Sequence, residues 1–284
     1  MNGKTIFIWK VKDVYGGDPK KIAARAKEMG LTAVLVKAAN WVQRYNLRPP
    51  LNLDNIIGPL IEELSAVGID TYGWQYIYGD LPEQEAARAI ERIQKYSFKG
   101  WIIDAEGEYE AAGMAAAATR YMIALGNGLP SDYPIGLTTY RYPNVHEGFP
   151  WRIFLPQVDF YMPQVYWMQA HDPAYQLDKS LTQYRKRENE LNISPKPYYP
   201  VGAAFYENGW QPTLDEIKAF HAKAIDLGLN SVCYWEWSDA ILRGIEPTLA
   251  ELPWPGYEAP TWKESITAWA RSQGYVGPGP GVDA

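Results

Sequence analysis

The chain has 284 residues, 47% hydrophobic and 21% charged, enough for one sizeable core in a single domain. Its net charge of −6 disfavours a partner held through phosphates, and no apolar run approaches the ~20 residues of a membrane helix. A single cysteine, Cys233, excludes an internal disulfide framework.

Short apolar runs alternate with longer amphipathic stretches, the pattern of βα units around a parallel sheet buried on both faces. The first run, Thr5–Trp9, is only five residues long, too short for a signal-peptide core. The expected location is therefore the cytoplasm, or the cell wall after release by a phage-type route. Asp18-Pro19 reads as a helix cap and first helical residue, with Gly30 as the stop. Ala33–Lys37 is the second strand, and a helix over 53–67 follows. Asp70–Trp74 is the third strand, followed by a helix over 82–96.

Gly100–Asp104 is the fourth strand, followed by an alanine-rich helix over 110–125. Ile135–Thr139 is the fifth, and the proline-broken connection after it leaves room for a turn or two at Trp151–Leu155. The sixth strand, Phe160–Tyr166, precedes a helix over 175–190. The seventh, Tyr199–Ala204, precedes a helix over 214–227. Ser231–Trp235 is the eighth. Eight strands separated mostly by helices predict an α/β fold, a single-domain (β/α)₈ barrel over residues 1–260. A closing helix over Trp262–Arg271 and a Gly/Pro-rich tail are expected in 261–284.

A barrel of this kind carries its reacting groups at the carboxyl ends of the strands. These ends hold Trp9 and Lys10, Asn40 and Trp41, Trp74 and Tyr76, Asp104 and Glu106, and Thr139, Tyr140 and Arg141. Further round come Gln164, Tyr166 and Trp167, then Phe205, Tyr206 and Glu207, then Trp235, Glu236, Trp237 and Asp239. Most of the 12 Trp and 21 Tyr are expected to fill the core. Their gathering at strand ends nevertheless points to a cleft for sugar rings, whose C–H faces stack on aromatics. Trp41, Trp74, Trp167 and Trp237 are expected to include at least two exposed rings along one groove.

The densest acidic motif is Asp104-Ala105-Glu106-Gly107-Glu108-Tyr109-Glu110. Residues two apart on a strand face the same side, so Asp104 and Glu106 enter the mouth together. Two carboxylates that close do not both ionise readily, so one keeps its proton as a general acid. Glycoside cleavage needs such an acid, and Glu106 is the expected donor, its proton held by the charge of Asp104. Glu108 and Glu110 read as first-turn charges of the next helix. The scattered His146, His171 and His221 lack metal-site spacing, so neither metal nor cofactor is expected. Of the three, His171 is placed within reach of the cleft and His221 at the surface. Cys233 reads as a small buried residue, and Tyr15-Gly16-Gly17-Asp18 as a turn.

The stretch Phe98–Glu106 resembles the fourth-strand signature of family 18 chitinases, with its last aspartate and its acid glutamate kept. Lys99 and Ile102 stand where that family's earlier aspartates would be. Gln164-Val165-Tyr166 and Val232–Glu236 resemble that family's sixth- and eighth-strand elements. The short Asp-x-Glu form and Leu35-Val36-Lys37-Ala38 resemble family 25 lysozymes, whose first-strand aspartate is replaced here by Trp9-Lys10. The resemblance implies a retaining glycosidase on an N-acetylhexosamine polymer, peptidoglycan first and chitin second. Glu106 would be acid/base, Asp104 would support the substrate acetamido group, and Gln164 and Tyr166 would hydrogen-bond it. Trp235, Trp41, Trp74, Tyr140, Trp167 and Glu236 complete the expected sugar contacts. The protein is expected to act as a monomer with a polysaccharide as its partner. The competing class is a non-catalytic barrel that binds sugar in the same cleft.

Overall fold

A computed structural model describes residues 1–47 and 54–256. Eight strands form the sheet: β1 (Gly3–Ile8), β2 (Leu31–Asn40), β3 (Asp70–Ile77), β4 (Trp101–Ala105), β5 (Ile135–Tyr140), β6 (Phe160–Gln164), β7 (Val201–Ala203) and β8 (Ser231–Trp235). Each pairs with its sequence neighbour in parallel, and β8 pairs back onto β1 through Gly3↔Ser231 to Ile6↔Tyr234, which closes the barrel. A two-residue strand at Gln43–Arg44 folds back antiparallel on Ala39–Asn40 at the mouth.

The helices are α1 (Pro19–Glu28), α2 (Ile57–Ala66), α3 (Pro82–Lys95), α4 (Met114–Asn127), α5 (Trp151–Gln157), α6 (Pro173–Leu191), α7 (Leu214–Asp226), α8 (Trp237–Leu242) and α9 (Glu246–Glu251). The predicted start of α1 is seen directly, with the Asp18 carboxylate accepting from the backbone N–H of Lys20 at 3.0 Å and of Lys21 at 3.3 Å. One boundary moves for a local reason. Gly113 takes a left-handed φ of 89°, so α4 begins after it, and Gly107–Glu110 instead forms a separate 3₁₀ turn. Glu108 and Glu110 therefore leave the predicted helix: Glu108 accepts from the Tyr76 hydroxyl at 2.7 Å, and Glu110 meets His146 Nδ1 at 2.8 Å. The expected closing helix at 262–271 and the tail lie outside the described residues. Among the described residues no helix is long and apolar enough to cross a membrane.

Two apolar layers hold the barrel. Inward-facing Phe7, Leu35, Trp74, Ile102, Met162 and Cys233 fill its interior, all at most 1% exposed. Outward-facing residues of the same strands pack against the helices, and close approach sets some identities. A Cβ on Gly202 would stand 2.4 Å from the Phe220 ring of α7, so any larger residue there would have to displace that ring. Burial pushes the Cys233 thiol up to about 12, in keeping with the small buried role expected of it.

The C-terminal segment is tied to the barrel by two buried polar side chains. Lys4 Nζ donates to the carbonyls of Leu249 and Leu252 at 2.9 and 2.6 Å, closing off α9. His221 corrects the expectation of a surface residue: it is 2% exposed, Nδ1 accepts from Tyr234 Oη at 2.8 Å, and Nε2 donates to the Pro253 carbonyl at 2.6 Å. Its helix packs that face toward β8 and the returning chain, a contact that only the closed barrel creates.

Candidate active site

The apolar run Trp101-Ile102-Ile103 drives β4 through the centre of the barrel and delivers Asp104 to its upper end, level with Tyr76 of β3 and Thr138 of β5. Asp104 is 4% exposed, and Glu106 stands just beyond the strand, partly open to solvent. From β6, Gln164 Nε2 donates to Glu106 Oε1 at 2.7 Å and makes a longer contact to Asp104 Oδ1 at 3.4 Å. One amide thus fixes both carboxyl groups. Burial, and then the charge of Glu106, raise the Asp104 carboxyl well above its ordinary range, and the two groups are hydrogen-bonded to each other. Burial and the neighbouring charge thus favour the protonated form of Asp104.

The pair opens into a cleft of about 560 Å³. Tyr166 reaches it from beyond β6, its ring edge-on to Phe205 at 4.9 Å. Burial first, then the charges of Glu106 and Asp104, push its phenol well up, so it stays protonated and can donate. Trp235 at the end of β8 forms the opposite wall. Its ring lies 5.3 Å from both Phe7 and Trp74, and 6.4 Å from Trp9 at an interplanar angle of 32°. Trp9 is 42% exposed and continues that wall outward. The Asn46 side chain fixes it there: Nδ2 donates to the carbonyls of Trp9 and Lys37, and Oδ1 accepts from Val11 N–H. Exposed Tyr206 lies under the Arg243 guanidinium at 4.3 Å and lines the far side. Asp13, Glu207 and Asp239 add to the central pair, leaving the cleft acidic.

The structure brings Asp104, Glu106, Gln164, Tyr166, Trp235 and Glu236 into one cavity. Glu236 lines it but is committed elsewhere. Its carboxylate caps α8, accepting from the backbone N–H groups of Ser238 and Asp239 and from the Ser238 hydroxyl.

The expected groove of exposed tryptophans is corrected. Trp74, Trp167 and Trp237 are at most 1% exposed. β3 runs on to Ile77, so Trp74 falls within the barrel rather than at its end, where it forms the floor beneath Trp235. Trp167 faces outward against Phe220 at 5.1 Å, and Trp237 donates to Glu246 Oε1 at 2.8 Å behind the barrel. Trp41 and Tyr140 are partly buried at the ends of β2 and β5 and are absent from the cavity wall, Tyr140 stacking on His146. His171 pairs with Glu216 of α7 and does not reach the cleft. The exposed rings are Trp9 and Tyr206 instead. The period of two already aims Trp9 inward after Phe7, a signal present in the sequence.

The sequence matches no protein-family model and no curated protein. Solved structures do resemble it, and those most similar include several glycoside hydrolases. A family 18 chitinase from Cycas revoluta in complex with allosamidin superposes with a TM-score of 0.61 at 10% identity, over 87% of this chain and 98% of that one. The Bacillus cereus spore cortex-lytic enzyme SleL gives 0.61 at 11%, over 88% and 74%. The glycoside hydrolase domain of PgaB (BpsB) from Bordetella bronchiseptica gives 0.61 at 11%, over 88% and 98%. At such identities the likeness establishes the fold: a closed α/β barrel of the kind that these glycoside hydrolases share.

Proposed function

We propose that the chain is a retaining glycoside hydrolase of N-acetylhexosamine polymers, peptidoglycan ahead of chitin, with Glu106 as the proton donor. The observation that supports it is the Asp104–Glu106 pair at the barrel mouth, bridged by Gln164 in a cleft walled by Tyr166 and Trp235. Peptidoglycan is put first because Leu35-Val36-Lys37-Ala38 and the short Asp-x-Glu form resemble family 25 lysozymes.

In this reading a sugar stacks on Trp235 and Trp9, and its acetamido group meets Asp104, Gln164 and Tyr166. An acetamido N–H favours the anionic form of Asp104, so the shared proton passes across the hydrogen bond to Glu106. Glu106 then protonates the leaving oxygen while the acetamido oxygen attacks the anomeric carbon. Water, deprotonated by Glu106, opens the resulting ring and restores the pair's proton.

Release of reducing ends from peptidoglycan, chitin and plant polysaccharides tests the proposal. Cleavage of an N-acetylated polymer that Glu106→Gln abolishes is the expected result. Ile102, apolar and fully buried below Asp104, supports a second reading in which the barrel binds sugar without cutting it. Binding without any cleavage that depends on Glu106 would establish that reading.

A further inference from the structure

The second strand brings a cation to the carboxyl pair. Lys37 follows Ala33 and Leu35 on the inner face of β2, where the ladder to β3 slips between Lys37 and Ala39. It is 5% exposed. Four rings from three parts of the chain enclose its Nζ, with centroids at 4.6 Å for Trp74, 4.8 Å for Tyr45, 5.7 Å for Trp9 and 6.0 Å for Tyr76. Among the described residues it has no hydrogen-bond acceptor and no carboxylate within 4.0 Å.

Ring faces attract an ammonium but only partly replace its water, so a cation held this way depends on charge further off. That charge is Asp104 and Glu106, the acidic groups that act on Lys37. The other titratable groups around it are Lys10 beyond Trp9, which opposes its charge, and the phenols of Tyr45 and Tyr76, the latter bonded to Glu108. Ile102, level with Lys37 across β3, is apolar, and among the described residues no further carboxylate acts on the cation.

We propose that Lys37 is a positioning residue of the reaction centre, the fixed counter-charge beside which Glu106 gives up its proton. The proposal rests on the hydrolase reading. When Glu106 protonates the leaving oxygen, the buried pair gains one negative charge, and a preorganised cation stabilises that charge without moving. Nothing beyond substrate and water enters the balance: the proton leaves Glu106 for the glycosidic oxygen, and water later returns one. The ring cage keeps Lys37 from collapsing into an ion pair with either acid, which would immobilise the group that must act.

The consequences appear in the pH profile. Burial holds Lys37 down to about 8, so the wild-type rate should fall as pH rises through that value. Lys37→Met fills the cage with an uncharged chain of similar length. It should lower kcat ~10- to 100-fold with KM little changed, move the acid limb to higher pH and erase the alkaline limb near 8. Lys37→Arg should restore kcat and the acid limb, and carry the alkaline limb past the wild-type position.

A readout independent of turnover is the carboxyl ¹³C titration of Asp104 in the resting protein, which should move upward in Lys37→Met. Should Lys37→Met not fold, Lys37→Gln carries the same titration. An unmoved Asp104 titration with an unmoved pH profile would overturn the proposal. A shifted Asp104 titration in a protein that cleaves nothing would sink the hydrolase reading instead and leave the charge coupling standing.

Discussion

Replacing Glu106 by glutamine changes one atom and separates chemistry from structure. The amide oxygen can still accept from Gln164, whose bond to Glu106 is 2.7 Å long, so the shape of the cleft is kept. What disappears is the transferable proton. General-acid transfer contributes ~10²- to 10⁴-fold to rate, about 3–5 kcal/mol of barrier, and hydrolysis should fall by at least the lower figure. Stability should change little. The variant loses the repulsion between Glu106 and Asp104, and with it one of the two acidic charges that act on buried Lys37, two effects of opposite sign. Losing the neighbouring charge should also lower the proton affinity of Asp104, because Glu106 is one of the causes that raise it. Reducing-end release, calorimetric melting and a carboxyl ¹³C titration of Asp104 measure the three effects. A variant that hydrolyses as fast as the wild type, or whose melting temperature moves by more than ~4 °C, would refute the reasoning.

Asp104→Asn should cripple turnover as well, because the acetamido group loses the carboxylate that supports it; unchanged kcat would remove Asp104 from the mechanism. Trp9→Ala should weaken oligosaccharide binding by ~1–3 kcal/mol, whereas Trp167→Ala, buried behind the barrel, should leave binding intact and cost ~3–5 kcal/mol of stability. Equal effects of the two on affinity would show that the exposed wall is misassigned. His221 gives a pH dependence of folding. Burial holds it down to about 4 in the folded protein against about 6.5 unfolded, so its contribution is complete above pH 6.5 and is lost as pH falls toward 4. That loss amounts to ~3 kcal/mol, and denaturant melts of wild type and His221→Gln should converge across this window. Parallel curves would count against it.

Local rules shape much of this barrel. Apolar runs such as Trp101-Ile102-Ile103 and Ser231–Trp235 can be buried on both faces only in a parallel sheet, and Asp18-Pro19 and Gly30 punctuate α1 by their own backbone preferences. The period of two aimed Asp104 on β4 and Glu106 just past its end into one mouth, and likewise brought Gln164 on β6 and Tyr166 past its end to meet them. Each inference needed only the residues of one segment.

What tertiary structure decided is depth and encounter. Trp74 and Trp9 look alike as aromatics near strand ends, yet β3 runs on past Trp74 while β1 stops before Trp9, so one ring is a floor and the other a wall. Trp167 follows Tyr166 directly, and the alternation that turns Tyr166 inward turns Trp167 out beneath α7. His221 reads as a helix-surface residue until the chain after β8 returns to bury it. Lys37 shows the limit most plainly. Its cage is built by Trp9, Tyr45, Trp74 and Tyr76, and it faces acids on a strand further along, so no single segment carries the signal. Periodicity fixes which way a side chain points, whereas barrel closure and strand length fix what it meets there.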